Sequence, residues 1–198
     1  MPVTTDLPDE TASNVCYAYK ASLIGSAHEF ELTDKGLAWT AAGRSGLWAY
    51  AEISEIRLSY RPVSMQSRRF RADISHAGGG RIRILSTTWQ TVSLMTPQDH
   101  GYRAFMTALH RRMAAAGSRA ALRGGLTPNL YAAAVVLLGL LAIAMAGLMV
   151  RALMTGEWSG ALFLVGFAVL FAWQIGGFVT RNRPIAYAFD HLPEKLLP

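Results

Sequence analysis

Arg57, Arg61, Arg68, Arg69, Arg71, Arg81 and Arg83 crowd one stretch of this chain, opposed by Asp73. Their chemistry is anion binding, because a guanidinium is always charged and its forked N–H donors match phosphate and carboxylate oxygens. In "RRFRADISHA", Phe70, Ala72 and Ile74 alternate with Arg69, Arg71, Asp73 and Ser75; in "RIRILS", Ile82 and Ile84 alternate with Arg81 and Arg83. If the two segments pair as strands through the "GGG" turn, Arg69, Arg71, Arg81 and Arg83 share one outward face. Like charges placed opposite each other are mildly destabilising. An anion between them would relieve this, and a cytoplasmic leaflet supplies anions at ~1 kcal/mol per basic group. The four arginines are therefore candidate ligands for anionic lipid. A plain solvated sheet face accounts for the same pattern.

Other chemistry is sparse. His28, His76, His100, His110 and His191 are scattered, and none forms a metal-spaced pair. "GGG" lacks the Gly-Lys-Ser/Thr that completes a phosphate-cradling loop. There is no nucleophile elbow and no paired-carboxylate constellation. No catalytic residue, metal site or cofactor is expected. Nucleic acid is not an expected partner either, since the basic strands carry no exposed aromatic spacing. The single cysteine, Cys16, excludes an internal disulfide.

The elements that must position these arginines divide sharply. The chain has 198 residues and a net charge of +6. Up to Gly125 it mixes charged and apolar residues; from Leu126 to Thr180 it is almost wholly apolar. "LYAAAVVLLGLLAIAMAGLMV" (Leu130 to Val150) and "WSGALFLVGFAVLFAWQIGGFVT" (Trp158 to Thr180) are each long enough, at ~1.5 Å per residue, to cross a ~30 Å hydrocarbon core. Thr127 is the expected N-cap of the first helix, with Pro128 at its first position. Arg111, Arg112, Arg119 and Arg123 precede the pair, Arg181 and Arg183 follow it, and the turn "RALMTGE" has Arg151 alone. The positive-inside rule then places both termini in the cytoplasm and the turn outside. Small residues at four-residue spacing, Ala142 and Ala146 on one helix and Ala168, Ala172 and Gly176 on the other, form a packing stripe. It serves either the hairpin itself or a second membrane subunit. No ionisable side chain occupies the middle of either span, which argues against a self-contained transporter.

Before the hairpin, "HEFELT", "LAWTA", "LWAYAEISEIRLSY", "RRFRADISHA", "RIRILS" and "TTWQTVSLM" read as short strands between Gly-rich turns, the last as one strand. A helix follows, capped by Thr96 with Pro97 in its first position. Tyr102, Phe105, Met106, Leu109 and Met113 form its apolar face. Strands closed by one C-terminal amphipathic helix resemble a bacterial pleckstrin-homology-like (PH-like) domain. "FELTDKGL" and "YAEISEIRLSYRP" are similar to that family's first hairpin and middle strands. The whole chain resembles small bacterial membrane proteins that join such a domain to a two-helix anchor. Their tail is similar to "NRPIAYAFDHLPEKLLP", through its "NRP", Tyr, "LP" and "LLP". The resemblance implies a fold and a topology but no biochemical activity.

The expected fold class is α+β: an antiparallel PH-like sandwich or barrel with a C-terminal helix, followed by a transmembrane hairpin. Residues 1–14 are read as a disordered lead-in without a cleaved signal peptide. Residues 15–117 are read as the cytoplasmic domain, 118–127 as a linker, 128–180 as the hairpin (helices about 129–151 and 157–180) and 181–198 as a cytoplasmic tail. In the tail, Ile185, Tyr187 and Phe189 alternate with smaller or polar residues and are expected to dock on the domain. The expected function is a non-enzymatic adaptor or accessory subunit in the bacterial inner membrane, whose partners are membrane lipids and a membrane or cytoplasmic protein. The alternative is a membrane-associated enzyme or lipid-handling protein with an unrecognised site.

Overall fold

The structure is a computed structural model that describes residues 15–22, 24–62, 68–91 and 95–198. The expectation for residues 1–14 lies outside the described residues. The described residues form a mixed α+β fold of mainly antiparallel sheets and three α-helices, of which the last two are long and apolar.

The first sheet is an antiparallel meander of β1 (Val15–Tyr19), β2 (His28–Thr33), β3 (Gly36–Ala41) and β4 (Arg44–Trp48). Its alternation is that of a half-buried strand set: Tyr17, Tyr19, Phe30 and Leu32 point inward while Cys16, Ala18 and Glu29 are exposed. Gly36 follows the β2–β3 turn at φ +151°, and a side chain there would run into the Trp48 carbonyl. β5 (Ile53–Tyr60), β6 (Phe70–His76) and β7 (Arg81–Leu85) form the antiparallel centre of a second sheet. The "TTWQTVSLM" segment is two short paired strands rather than one, β8 (Thr87–Trp89) and β9 (Met95–Pro97). That pairing holds Thr96 and Pro97 extended, so α1 (Asp99–Ala115) starts later than expected, with Gln98 in the cap position.

Tyr102, Phe105, Met106, Leu109 and Met113 lie on the buried face of α1 and join one core with the inward residues of both sheets. The helix ends as a left-handed cap should: Gly117 sits at φ +65°, its N–H bonds the Ala114 carbonyl, and the Ser118 N–H bonds that of Met113. Buried phenols join the sheets across the core. The Tyr17 hydroxyl donates to the Leu85 carbonyl at 2.6 Å and the Tyr19 hydroxyl to that of Arg83 at 2.5 Å, both on β7.

Residues 118–127, read as a linker, contain β10 (Ala121–Gly124), which lies parallel to β5. The apolar pair follows as α2 (Pro128–Met154) and α3 (Trp158–Arg181), with Thr127 in the α2 cap position. No side chain of α2 is buried and only Ala161 of α3 is, so the core of the domain does not account for their apolarity. The chain returns as β11 (Ile185–Ala186), antiparallel to β10, and the second sheet reads β11-β10-β5-β6-β7.

The phenol pins carry a measurable load. Tyr17→Phe strands the Leu85 carbonyl in the core and should destabilise the domain by roughly 1–3 kcal/mol. Thermal unfolding followed by near-ultraviolet circular dichroism measures it; an unchanged midpoint would show the bond to be dispensable.

Candidate functional site

Two neighbouring features are built around β5. The first is a seam where the chain enters and leaves the apolar hairpin. Leu122 of β10 points inward, and the Gly125 N–H bonds the Leu58 carbonyl at 2.8 Å. Immediately after α3, in its C-cap position, the side chain of Asn182 is fully buried against the last residue of β5. Its Oδ1 accepts the Tyr60 N–H at 3.0 Å, and its Nδ2 donates to the carbonyls of Tyr60 (2.9 Å) and Phe178 (3.1 Å). The amide group thus replaces a neighbouring strand for the end of β5. The Asn182 carbonyl in turn accepts the Leu126 N–H at 2.9 Å.

The crossing segments touch because two glycines allow it. A Cβ on Gly124 would lie 2.6 Å from Leu196 Cδ1 and 2.7 Å from Ile185 Cγ1. Gly125, at φ +80°, has space for none, with the Asn182 carbonyl oxygen 2.5 Å from where it would be. Arg181 stacks its guanidinium over the Tyr60 ring, 5.0 Å from the centroid.

Beyond the seam the tail runs over α1. Ile185, expected to dock with them, pairs with Gly124 through its backbone and stays exposed, while Tyr187 and Phe189 pack against the core. The Tyr187 hydroxyl lies 3.0 Å from His110 Nε2, and His110 Nδ1 lies 2.7 Å from the Met106 carbonyl. A carbonyl only accepts, so Nδ1 carries the proton and Nε2 accepts from the phenol. Burial pushes the His110 pKa below its usual 6.5, against the opposing pull of the Met106 carbonyl. Leu196 and Leu197 are buried in the core itself.

The second feature is the outer face of β5–β7. Arg57 on β5 and Arg83 on β7 both lie opposite Asp73 on β6; Arg71 lies opposite Ser59, and Arg81 opposite Ser75. Arg71, Arg81 and Arg83 thus share this face, with Arg69 just before β6. Asp73 is 8% exposed; it takes Arg71 at 2.6 Å and Arg83 at 3.5 Å, while Arg57 pairs with Glu55 at 2.7 Å. The repulsion foreseen between arginines is therefore relieved in part by a carboxylate of the chain itself. Arg61 and Arg69 form the base of the β5–β6 hairpin, where the Arg69 Nε donates to the Arg61 carbonyl at 3.2 Å. Partial burial and the neighbouring guanidiniums, Arg71 foremost, lower the pKa of both below the usual arginine value.

A cleft of about 190 Å³ lies between this face and the start of α2, with Arg57, Arg61, Arg71 and Arg81 on one side and Leu126, Thr127 and Leu130 on the other. The Nε atoms of Arg61 and Arg71 are buried without a hydrogen-bond partner among the described residues. Those residues hold no group of three or more His, Cys, Asp or Glu able to bind a metal. In the hairpin, Ala142, Ala146, Ala168 and Ala172 line one groove between α2 and α3; Gly176 lies outside it, with open space where a Cβ would stand.

Sequence reasoning missed Gly124, Gly125, Asn182, His110, Leu196 and Leu197. The "NRP" and "LLP" phrases pointed at three of them without revealing what they touch. Comparison with protein-family models, with curated proteins and with solved structures gave no match.

Asn182→Ala leaves both backbone groups of Tyr60 unpaired, at roughly 1–3 kcal/mol for each that stays dry. Amide exchange should quicken at Tyr60 and Leu126 and through Ile185–Ala186, and protection like that of the unaltered chain would dismiss the seam. The His110 shift also sets a pH dependence. Its folded pKa is depressed, so the unfolded chain binds the extra proton. Stability is full above 6.5 and falls as pH drops below that value. Melting should come earlier at about pH 5.5 than at about pH 7.5, and His110→Gln should make that dependence shallower. His28, also lowered by burial, supplies part of the remaining slope.

Proposed function

We propose that this chain is a membrane-anchored adaptor or accessory subunit, not an enzyme. Its domain is read as a PH-like sandwich held at the cytoplasmic face of a bacterial inner membrane, with both termini cytoplasmic. Two helices long and apolar enough to cross a membrane support the anchor. The basic residues at the outer ends of the pair support the orientation. The two antiparallel sheets closed by α1 favour the PH-like reading; β10 and β11 are additions to that plan.

The observation that carries the proposal is the seam. A flexible tether would let the domain turn freely, whereas here both ends of the hairpin bond to the end of β5: Gly125 to Leu58, Asn182 to Tyr60. The base of the β5–β6 hairpin, with Arg61, Arg68 and Arg69, is therefore held toward the bilayer. The turn at Ala77–Gly80 lies at the opposite end of β6. Such an arrangement suits a module that presents a fixed surface to anionic lipid and to a protein partner at the membrane.

Single-cysteine probes in a Cys16→Ser background test this. In nanodiscs, a fluorophore at Arg68 should be quenched by headgroup-attached quenchers and one at Ala77 spared; in cells, an impermeant thiol reagent should reach Thr155 and not Lys195. Equal quenching at both sites would refute the fixed presentation, and labelling at Lys195 would refute the topology.

A further inference from the structure

We infer that the cleft between the outer face of β5–β7 and the first turn of α2 binds the phosphate group of an anionic phospholipid. The inference rests on the membrane-facing orientation proposed above and gives it a defined ligand.

Charge is the first argument. Four guanidinium groups line the cleft against two carboxylates, and both carboxylates are already committed: Glu55 to Arg57, Asp73 to Arg71. Arg61 has no ion pair among the described residues, and Arg81 has only the Ser75 hydroxyl, 3.3 Å from its Nε. Arg61 is partly buried and Arg81 exposed, and positive charge held partly out of water, as at Arg61, is costly unless an anion meets it. The Nε atoms of Arg61 and Arg71 add buried donors that no acceptor among the described residues uses. A phosphate offers the several oxygens that a converging set of guanidinium forks requires.

Polarity is the second argument, and it selects the source of the phosphate. The side of the cleft opposite the arginines is Gly125, Leu126, Thr127 and Leu130, the entry into the apolar hairpin. Leu130 is about half exposed and leads directly onto the apolar surface of α2. A ligand with an anionic head and an apolar continuation fits this gradient, whereas free phosphate would use the arginines alone. The start of a 27-residue helix also places its positive dipole end beside the cleft.

The test uses the purified full chain in neutral detergent, with short-chain phosphatidylglycerol, phosphatidylcholine and inorganic phosphate as probes. Native mass spectrometry and thermal shift read the binding. Phosphatidylglycerol should be retained and raise the melting temperature, with phosphatidylcholine and inorganic phosphate giving little effect. The double variant Arg61→Gln, Arg81→Gln should bind phosphatidylglycerol about 30-fold more weakly, as two lost basic contacts imply. The exposed pair Arg44→Gln, Arg111→Gln should leave binding unchanged. Leu130→Asp, which adds a carboxylate without altering the sheet, should also weaken it and covers the case in which the arginine variant folds poorly. Unaltered retention by the cleft variants would overturn the site. If salt-sensitive preference for anionic nanodiscs then persists and is lost in Arg68→Gln, Arg69→Gln, the orientation stands while the cleft falls. Equal effects of inorganic phosphate and phosphatidylglycerol would overturn the lipid as source. Absence of any anionic preference in the unaltered chain would remove both.

Discussion

The structure depends on how the end of β5 is completed. A strand edge carries unpaired N–H and C=O groups, and leaving them buried without partners is costly. Here β10 covers most of that edge, and the Asn182 side chain covers its last residue. Both segments belong to the flanks of the apolar hairpin. The hydrogen bonds that finish the sheet are thus the same ones that fasten the hairpin to the domain. Gly125 makes this possible, since a side chain there would run into the Asn182 and Arg183 carbonyls, while one at Gly124 would displace the Leu196 and Ile185 side chains.

The tail extends the same logic. β11 is too short to hold by its two paired residues alone, and Ile185 remains exposed. Its retention comes from further along, where the Tyr187 hydroxyl meets His110 and the Leu196 and Leu197 side chains enter the core. Burial of two leucines contributes several times the ~1 kcal/mol of a single hydrogen bond. The chain end therefore works as part of the domain, and the apolar hairpin is bounded on both sides by ordered structure.

Asp73 organises the basic face in a comparable way. It sits between Arg57 and Arg83 in register and bonds Arg71 and Arg83, so a dense group of like charges is tolerated at its centre. The balance changes toward the seam, where Arg61 and Arg69 crowd together with no ion pair among the described residues. Uncommitted positive charge therefore stands at both ends of this face, at Arg61 and Arg69 beside the seam and at Arg81 next to the Ala77–Gly80 turn.

Local patterns determined much of this in advance. Period-two alternation marked β2, β6 and β7, helical spacing marked the buried face of α1, and two long uncharged runs marked α2 and α3. These features depend on neighbours a few residues apart, and the side-chain period records them directly. The parity of Arg71, Arg81 and Arg83 was legible for the same reason. β8 and β9 read as one strand because the sequence between them carries no strong breaker, and β10 read as a linker because four residues hold too little pattern. What only the tertiary structure decided are the partners: Tyr60 with Asn182, 122 positions apart, His110 with Tyr187, and the glycine pair with the returning tail. A glycine or an asparagine near a helix end has an ordinary local use as a turn or a cap. Its long-range role becomes visible only when folding brings distant backbone together, because the demand it meets, an unpaired strand end or a close crossing, does not exist in the chain until then.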